Sequence, residues 1–286
     1  MTAKIRAGKI RAAVTGWPVA HSRSPLVHGH WLKRYGIDGS YEKIAVAPED
    51  AEAFYGNLAT SGLKGCNVTI PHKETAAAAC DVLDEAAQKM GAANTLWLDE
   101  TGRLCGANTD GAGFLGNLDQ MAPGWDDRHG CAIVLGAGGA ARAIVWALCS
   151  RKFTEVHIFN RTFEKARQIA DQFGSIVHAH SWDKLGTYIG KADLLVNTTS
   201  LGMTGKAPLE LDLADLPKEA LVTDIVYVPL MTGLLKQAAA RGNRTVDGVG
   251  MLLHQAVPGF EKWFGVRPEV DDDLRRLVLD DLEQSS

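Results

Sequence analysis

The sequence predicts an α/β protein of two domains, and three observations carry that reading. Short apolar runs alternate with helix-forming segments along the chain, a glycine-rich strand-to-helix turn lies near its middle, and 286 residues are 46% hydrophobic. Strands that alternate with helices pack as a parallel sheet covered on both faces. A chain of this length buries one large core or two modest ones, and usual domain sizes favour two.

Composition removes several function classes. The formal net charge is −4, without the basic excess that marks a nucleic-acid partner. Cys66, Cys80, Cys105, Cys131 and Cys149 are odd in number and scattered, with no C-x-x-C, which reads as reduced thiols in a cytoplasmic protein. The residues after Met1 do not read as a secretory signal. No apolar run approaches the roughly 18 residues of a membrane span, so no membrane partner is expected.

Residues 9–16 read as a strand closed by glycine, followed by WPVAHSRSP at 17–25. Ser24 and Pro25 start a helix over 26–35, with Ser24 as N-cap and Pro25 at the first helical position. The hydroxyls of Ser22 and Ser24 serve turn and cap there, or bind a small carboxylate or phosphate beside the helix N-terminus. His21, His28 and His30 match no standard zinc spacing, and no metal site is expected. A strand at 41–46 and a helix at 48–60 follow. Residues 67–70 form a short buried strand stopped by Pro71, which leaves Thr69, His72 and Lys73 at its carboxyl end, where open α/β sheets bind ligands. Residues 75–90 predict one alanine-rich helix. Asn94 and Thr95 introduce a strand that ends at Leu98, and Asn108, Thr109 and Asp110 occupy a glycine-bounded turn. A helix over 114–121 leads into the second domain.

That domain opens at 131–142 with CAIVLGAGGAAR. Gly136, Gly138 and Ala141 hold the three positions of G-x-G-x-x-G/A: tight turn, close backbone approach to a pyrophosphate, and close helix-strand packing. Taken alone, the motif equally describes a plain turn between a core strand and a core helix. The next strand, 155–162, ends in Asn160, Arg161 and Thr162, where an NAD site usually carries Asp or Glu. A carboxylate there repels a 2′-phosphate, whereas a guanidinium grips it bidentately, so the preference is NADP. Lys165, one helical turn on, is a second phosphate contact or a solvated lysine. Alternation continues with a helix at 163–173, strands at 193–198, 221–226 and 245–247, and a helix at 232–241. Residues 248–265 carry a helical core stripe that Pro258 kinks or ends, and 268–284 form an amphipathic helix.

Together, GWPVAHSRSP, GCNVTIPHK, GAANT, GANTDGAGF, GAGGAARA with NRT, NTTSLGM, DIVYVP and GVGMLLHQA resemble the shikimate dehydrogenase family in its order and spacing, from Gly16 to Gly265. The resemblance implies an α/β substrate domain at 1–110, completed by C-terminal helices at 249–286, and a Rossmann-like NADP-binding domain at 111–248, separated by a cleft. It implies reversible, NADP-dependent reduction of 3-dehydroshikimate to shikimate in aromatic amino-acid biosynthesis, by a cytoplasmic monomer or homodimer. By position, Ser22 and Ser24 would bind the substrate carboxylate with Tyr227 close by, and Thr69, Asn94 and Gln255 would hold the ring hydroxyls. Lys73 and Asp110 match the catalytic pair. Gly136, Ala137, Gly138, Gly139, Ala140, Asn160, Arg161, Thr162, Lys165, Ile225 and Gly248 match the NADP contacts. Gly29, Ala93 and Lys165 depart from the common family residues Asn, Val and Arg. Only Lys165 touches chemistry, offering a point charge in place of a fork. Relatives that oxidise quinate or act on aminoshikimate share this plan, as would a catalytically silent NADP-binding regulator. A nucleotide sensor needs only the glycine loop and Arg161, so the presence of Lys73, Asp110 and the polar pocket residues favours the enzyme.

Overall fold

The computed structural model describes residues 9–284. The chain divides into two compact units, Met1–Thr109 with Ala256–Ser286, and Asp110–Gln255. Positions 1–8 and 285–286 of the expected first domain lie outside the described residues.

The first unit runs β1 (Ile10–Gly16), α1 (Ser24–Arg34), β2 (Gly39–Ala45), α2 (Ala51–Gly56), β3 (Gly65–Val68), α3 (Lys73–Ala78), β4 (Val82–Leu83), α4 (Glu85–Met90), β5 (Thr95–Leu98) and β6 (Leu104–Ala107). Its sheet has the order β2-β1-β3-β5-β6-β4. β1 is parallel to β2 and β3, whereas β5 is antiparallel to both neighbours. One face buries Ala13, Val46, Tyr55, Leu58, Cys66, Ala76 and Leu96 in a common core.

The second unit runs α5 (Asp110–Met121), β7 (Cys131–Leu135), α6 (Gly139–Ser150), β8 (Glu155–Asn160), α7 (Phe163–Phe173), β9 (Val177–Ser181), α8 (Leu185–Tyr188), β10 (Leu194–Asn197), β11 (Leu221–Asp224), α9 (Gly233–Ala240), β12 (Thr245–Val246) and α10 (Val249–His254). Every strand pair is parallel, in the order β12-β11-β10-β7-β8-β9. The chain therefore starts mid-sheet at β7, builds outward to β9, and returns to β10 on the other side. That reversal opens a crevice at the carboxyl ends of β7 and β10, where doubly wound sheets take ligands. Alternate residues of the same strands feed two cores, Val134 and Val196 on one face and Ile133 and Leu195 on the other. The last helices, α11 (Val257–Phe264) and α12 (Asp272–Gln284), return to the first unit, where Phe260 stacks edge-on against Trp31. Among the described residues no helix is long and apolar enough to cross a membrane.

Several elements differ from the sequence reading. The single helix expected over 75–90 is broken into α3 and α4. Asp81 accepts from Leu104 N at 2.7 Å, Val82–Leu83 pair with β6, and Asp84 caps the new helix through Ala87 N at 2.7 Å. Two carboxylates with partners elsewhere in the chain thus outweigh the helix propensity of the alanines. Residues 104–107 are a strand, and α5 begins at Asp110 rather than 114. Ser24 is the first residue of α1, whose N-cap is Arg23. β9 was not expected. The expected boundary at 248/249 lies at 255/256, because α10 packs on α5 at short range: a Cβ on Gly113 would meet Met251 O at 2.8 Å. Pro258 sits in the first turn of α11, where a missing N–H costs nothing.

Candidate active site

In the second unit, β7 ends at Leu135 and the chain turns through Gly136, whose φ is +107°. A Cβ there would lie 2.7 Å from Thr198 Oγ1 and 2.9 Å from Thr199 Cγ2, so both the turn and the neighbouring end of β10 demand glycine. Thr198 cannot easily yield, since its hydroxyl donates to Leu135 O at 2.6 Å. Gly138 and Gly139 are different: a Cβ on either would meet no protein atom within 4 Å. Packing does not call for glycine at these two positions, and the backbone there lies open to close approach. α6 starts there without a side-chain cap, so its first N–H groups and positive dipole end point toward the same space. Ala141 is fully buried at the third motif position.

A groove of about 290 Å³ is lined by Gly136, Ala137, Gly138, Asn160, Arg161, Thr162, Lys165, Trp182 and Thr198–Leu201. The turn and the end of β8 therefore converge, with two cationic side chains on one rim. Asn160 is held by its Nδ2 donating to Thr162 O at 2.9 Å. Gly139 and Ala140 open α6 beside it. A second, mostly apolar pocket of about 340 Å³ shares Thr198, Thr199 and Ser200 and adds Met203, Ile225, Val226, Tyr227 and Val228. The two form one trough along the carboxyl edge of the sheet. Gly248 presses on its floor, where a Cβ would sit 2.5 Å from Ile225 O. The strand ends are tied by Asp224, which accepts from Asn197 Nδ2 at 2.9 Å, Val226 N at 3.0 Å and Thr232 Oγ1 at 2.8 Å. Burial pushes this carboxyl up to about 6, against the opposing pull of those three donors. Gln255, at the end of α10, donates to Leu252 O at 3.0 Å.

The first unit holds the other candidates. Ser22 Oγ donates to Ser24 Oγ at 3.2 Å and accepts from Ser24 N at 3.3 Å at the start of α1, so Ser22, and not Ser24, takes the first N–H of the helix. Thr69 leaves the end of β3 with its N–H on Thr15 O at 2.9 Å. Lys73 is the first residue of α3, and its carbonyl accepts from Ala93 N at 2.9 Å, which ties α3 to the segment carrying Asn94. His72 beside it is buried, with Nε2 at 2.7 Å from Val46 O. Asn94 Oδ1 accepts from Thr109 N at 2.9 Å and from the hydroxyls of Thr109 and Thr95 at 3.1 Å each.

A polar layer missed by sequence reasoning lies beneath. Asn67 takes Tyr41 OH on Oδ1 at 2.6 Å and donates to Asn94 O and Thr95 Oγ1, while Thr15 Oγ1 meets Tyr55 OH at 2.9 Å. Asn67 in the otherwise apolar run GCNV was the available signal, since a buried amide must find partners. His28, stacked on Tyr41 at 3.9 Å, is held neutral by burial, which lowers it to about 3 against a weaker effect of Asn67. Neither ring nitrogen meets a partner at hydrogen-bond geometry. Ser22, Ser24, Thr69, Lys73 and Asn94 thus belong to the first unit, and Asp110, Tyr227, Gln255 and the nucleotide-groove residues to the second.

Three family models match: the shikimate dehydrogenase substrate binding domain over 14–96, shikimate / quinate 5-dehydrogenase over 124–206, and the shikimate 5′-dehydrogenase C-terminal domain over 248–277. The shikimate dehydrogenase (NADP(+)) of Brucella abortus strain S19 is 57% identical over 280 residues, 96% of each chain. Quinate dehydrogenase from Corynebacterium glutamicum in complex with NAD superimposes with a TM-score of 0.88 at 29% identity, covering 95% of this chain and 99% of that one. Shikimate 5-dehydrogenase from Thermus thermophilus, solved with NADP(H) and shikimate, gives 0.81 at 36% identity over 94% and 99%. Matched nearly end to end, with its glycine turn, its strand-end pocket and its mixed first sheet in place, the chain belongs to the shikimate dehydrogenase family.

Proposed function

We propose that this protein catalyses the reversible NADP-dependent reduction of 3-dehydroshikimate to shikimate. The observation that carries the reading is the single groove that unites the Gly136–Gly138 turn with Arg161 and Lys165. The residues fit NADP: Gly138, Gly139 and Ala140 would take the pyrophosphate on the N-terminus of α6, and Arg161 and Lys165 the 2′-phosphate. Ile225, Tyr227 and Gly248 would bound the nicotinamide end, where the apolar lining excludes water. NADPH, when bound, supplies the hydride.

The chain's own residues handle orientation and the proton. Ser22 and Ser24 would donate to the substrate carboxylate, a charge-assisted pair of bonds that fixes the ring, with Tyr227 nearby. Asn94, Thr69 and Gln255 would hold ring hydroxyls. Lys73 would hold the proton delivered to the carbonyl oxygen, and its ammonium would stabilise the negative charge that develops there. Asp110 would orient that ammonium through its opposite charge.

The test follows formation of the reduced nicotinamide by its near-ultraviolet absorbance, with shikimate and NADP⁺, then with quinate and with NAD⁺. The expected result is rapid formation from shikimate with NADP⁺ alone. Turnover of quinate with NAD⁺ at an equal rate would overturn the specificity reading. No turnover with any pair, while NADPH still binds, would overturn catalysis in favour of a nucleotide-binding regulator.

A further inference from the structure

At the amino ends of β7 and β8, opposite the nucleotide groove, lies a cluster that the reaction does not use. The register pairs Cys131 with Glu155 and Ile133 with His157, so alternation puts Cys131, Glu155 and His157 on one face of the sheet. Their ligand-capable atoms all lie within 4.8 Å of one another. His157 Nε2 is 3.1 Å from Glu155 Oε2, and the other ring nitrogen, Nδ1, is 2.9 Å from His180 Nε2 on β9. A histidine held from behind through its second nitrogen is how metal-binding imidazoles are oriented. Cys131 and His157 are buried, whereas the Glu155 side chain is 51% exposed and gives the site its way in from solvent.

We propose that Cys131, Glu155 and His157 form a binding site for a divalent transition metal of the zinc class. Sulfur, imidazole and carboxylate together select such ions over magnesium or calcium, and three protein ligands leave a fourth tetrahedral position for water. Bonds of about 2.0–2.3 Å place tetrahedral ligand atoms roughly 3.5 Å apart. Glu155 and His157, 3.1 Å apart, already stand at that spacing, and the Cys131 thiol lies within 4.8 Å of both, so completing the site needs a shift of about 1 Å at most. As the metal–sulfur bond forms, the thiol proton leaves to solvent. Lys191 and His178 also face the cluster, and the Lys191 ammonium opposes the cation. Affinity is thereby held below that of an all-cysteine site.

The probe is Co²⁺, titrated into the metal-free full-length protein. One equivalent should produce a thiolate-to-cobalt charge-transfer band and the strong visible absorption of tetrahedral Co²⁺, both displaced by Zn²⁺. Cys131→Ser should abolish the charge-transfer band. Glu155→Gln, at an exposed position, should weaken Co²⁺ binding at least about ten-fold. NADPH affinity, measured on the same samples, should stay within about two-fold and so certifies that each variant is folded. A weak octahedral spectrum in the unmodified protein overturns the proposal. So does a charge-transfer band that survives Cys131→Ser, or an unchanged affinity in Glu155→Gln.

Discussion

Two alanine substitutions two residues apart separate what the glycine turn does for the fold from what it does for the nucleotide. At Gly136 the φ of +107° costs a non-glycine residue about 1–3 kcal/mol. The added methyl would also drive against Thr198 Oγ1 at 2.7 Å. Moving that hydroxyl breaks its bond to Leu135 O, worth about 1 kcal/mol. Gly136→Ala should therefore lose about 2–4 kcal/mol of stability. At Gly138 the backbone (φ −96°, ψ −170°) suits any residue, and a Cβ meets nothing within 4 Å. Gly138→Ala should leave stability unchanged or raise it by about 0.4–1 kcal/mol, through a stiffer unfolded chain. The same methyl would stand between the N-terminus of α6 and a pyrophosphate, so NADPH affinity should fall about 10- to 100-fold, or about 1.4–2.8 kcal/mol. Urea denaturation and NADPH fluorescence titration on the two variants provide both readouts. A Gly138→Ala protein that keeps both its stability and its affinity would refute the assignment of that backbone to the pyrophosphate.

Arg161→Gln should weaken NADPH binding about 10- to 100-fold and leave NADH binding unchanged, measured by the same titration; equal losses for both would remove the 2′-phosphate from its role. Lys73→Ala should lower kcat by about 10²- to 10⁴-fold with NADPH affinity intact, and a steady-state kcat equal to the parent's would sink the proton-donor role. His28, lowered by burial to about 3, stays neutral in the native state while the unfolded chain takes up a proton below pH 6.5. Its contribution to stability should then fall by about 1.4 kcal/mol per pH unit below 6.5, so the stability of His28→Phe should lose that much less per pH unit than the parent's in urea titrations; parallel curves would contradict it. Asp224 acts in the opposite sense: raised to about 6, it makes the native state the tighter proton binder, so its own contribution to stability should drop by up to about 3 kcal/mol as pH rises from about 4 to 6. Asp224→Asn should remove that drop, and a variant that retains it would place the proton elsewhere.

What the sequence made legible was backbone demand. Gly136 and Gly248 stand where a turn or a close approach admits no side chain, so residue type reports geometry directly. Apolar runs such as CAIVL and LLV sit buried on both faces of a parallel sheet and read as strands with little ambiguity. β9 was illegible because its alternation, VHAHS, places histidines where aliphatics would signal a face. β4 is two residues long and exists only through its pairing with β6. The break between α3 and α4 depends on Asp81 and Asp84, whose partners include Leu104 and Asn108, more than twenty residues away. No local pattern carries that information.

The two units also prepare their chemistry by different physical means. The second presents main-chain N–H groups and a helix dipole, which depend on backbone path and tolerate changes in side chain elsewhere. The first presents side chains, and their orientation must be fixed by other side chains. Asn94 shows how. Three donors, Thr109 N and the hydroxyls of Thr95 and Thr109, converge on its Oδ1. Turning the amide over would set its NH₂ against the Thr109 N–H, a donor that has no way to rotate. The amide is therefore locked with its oxygen toward Thr95 and Thr109 and its nitrogen to the other side. Thr95 is itself held by Asn67 Nδ2 at 3.1 Å, and Asn67 by Tyr41. The polarity at Asn94 is thus set two residues deep in the core: in its proposed substrate role this amide would donate, and the ring hydroxyl oxygen would accept. Substituting Asp at this position would keep the interior bonds and reverse the outward polarity. In that proposed role, the buried layer would determine which end of the substrate hydroxyl this unit reads.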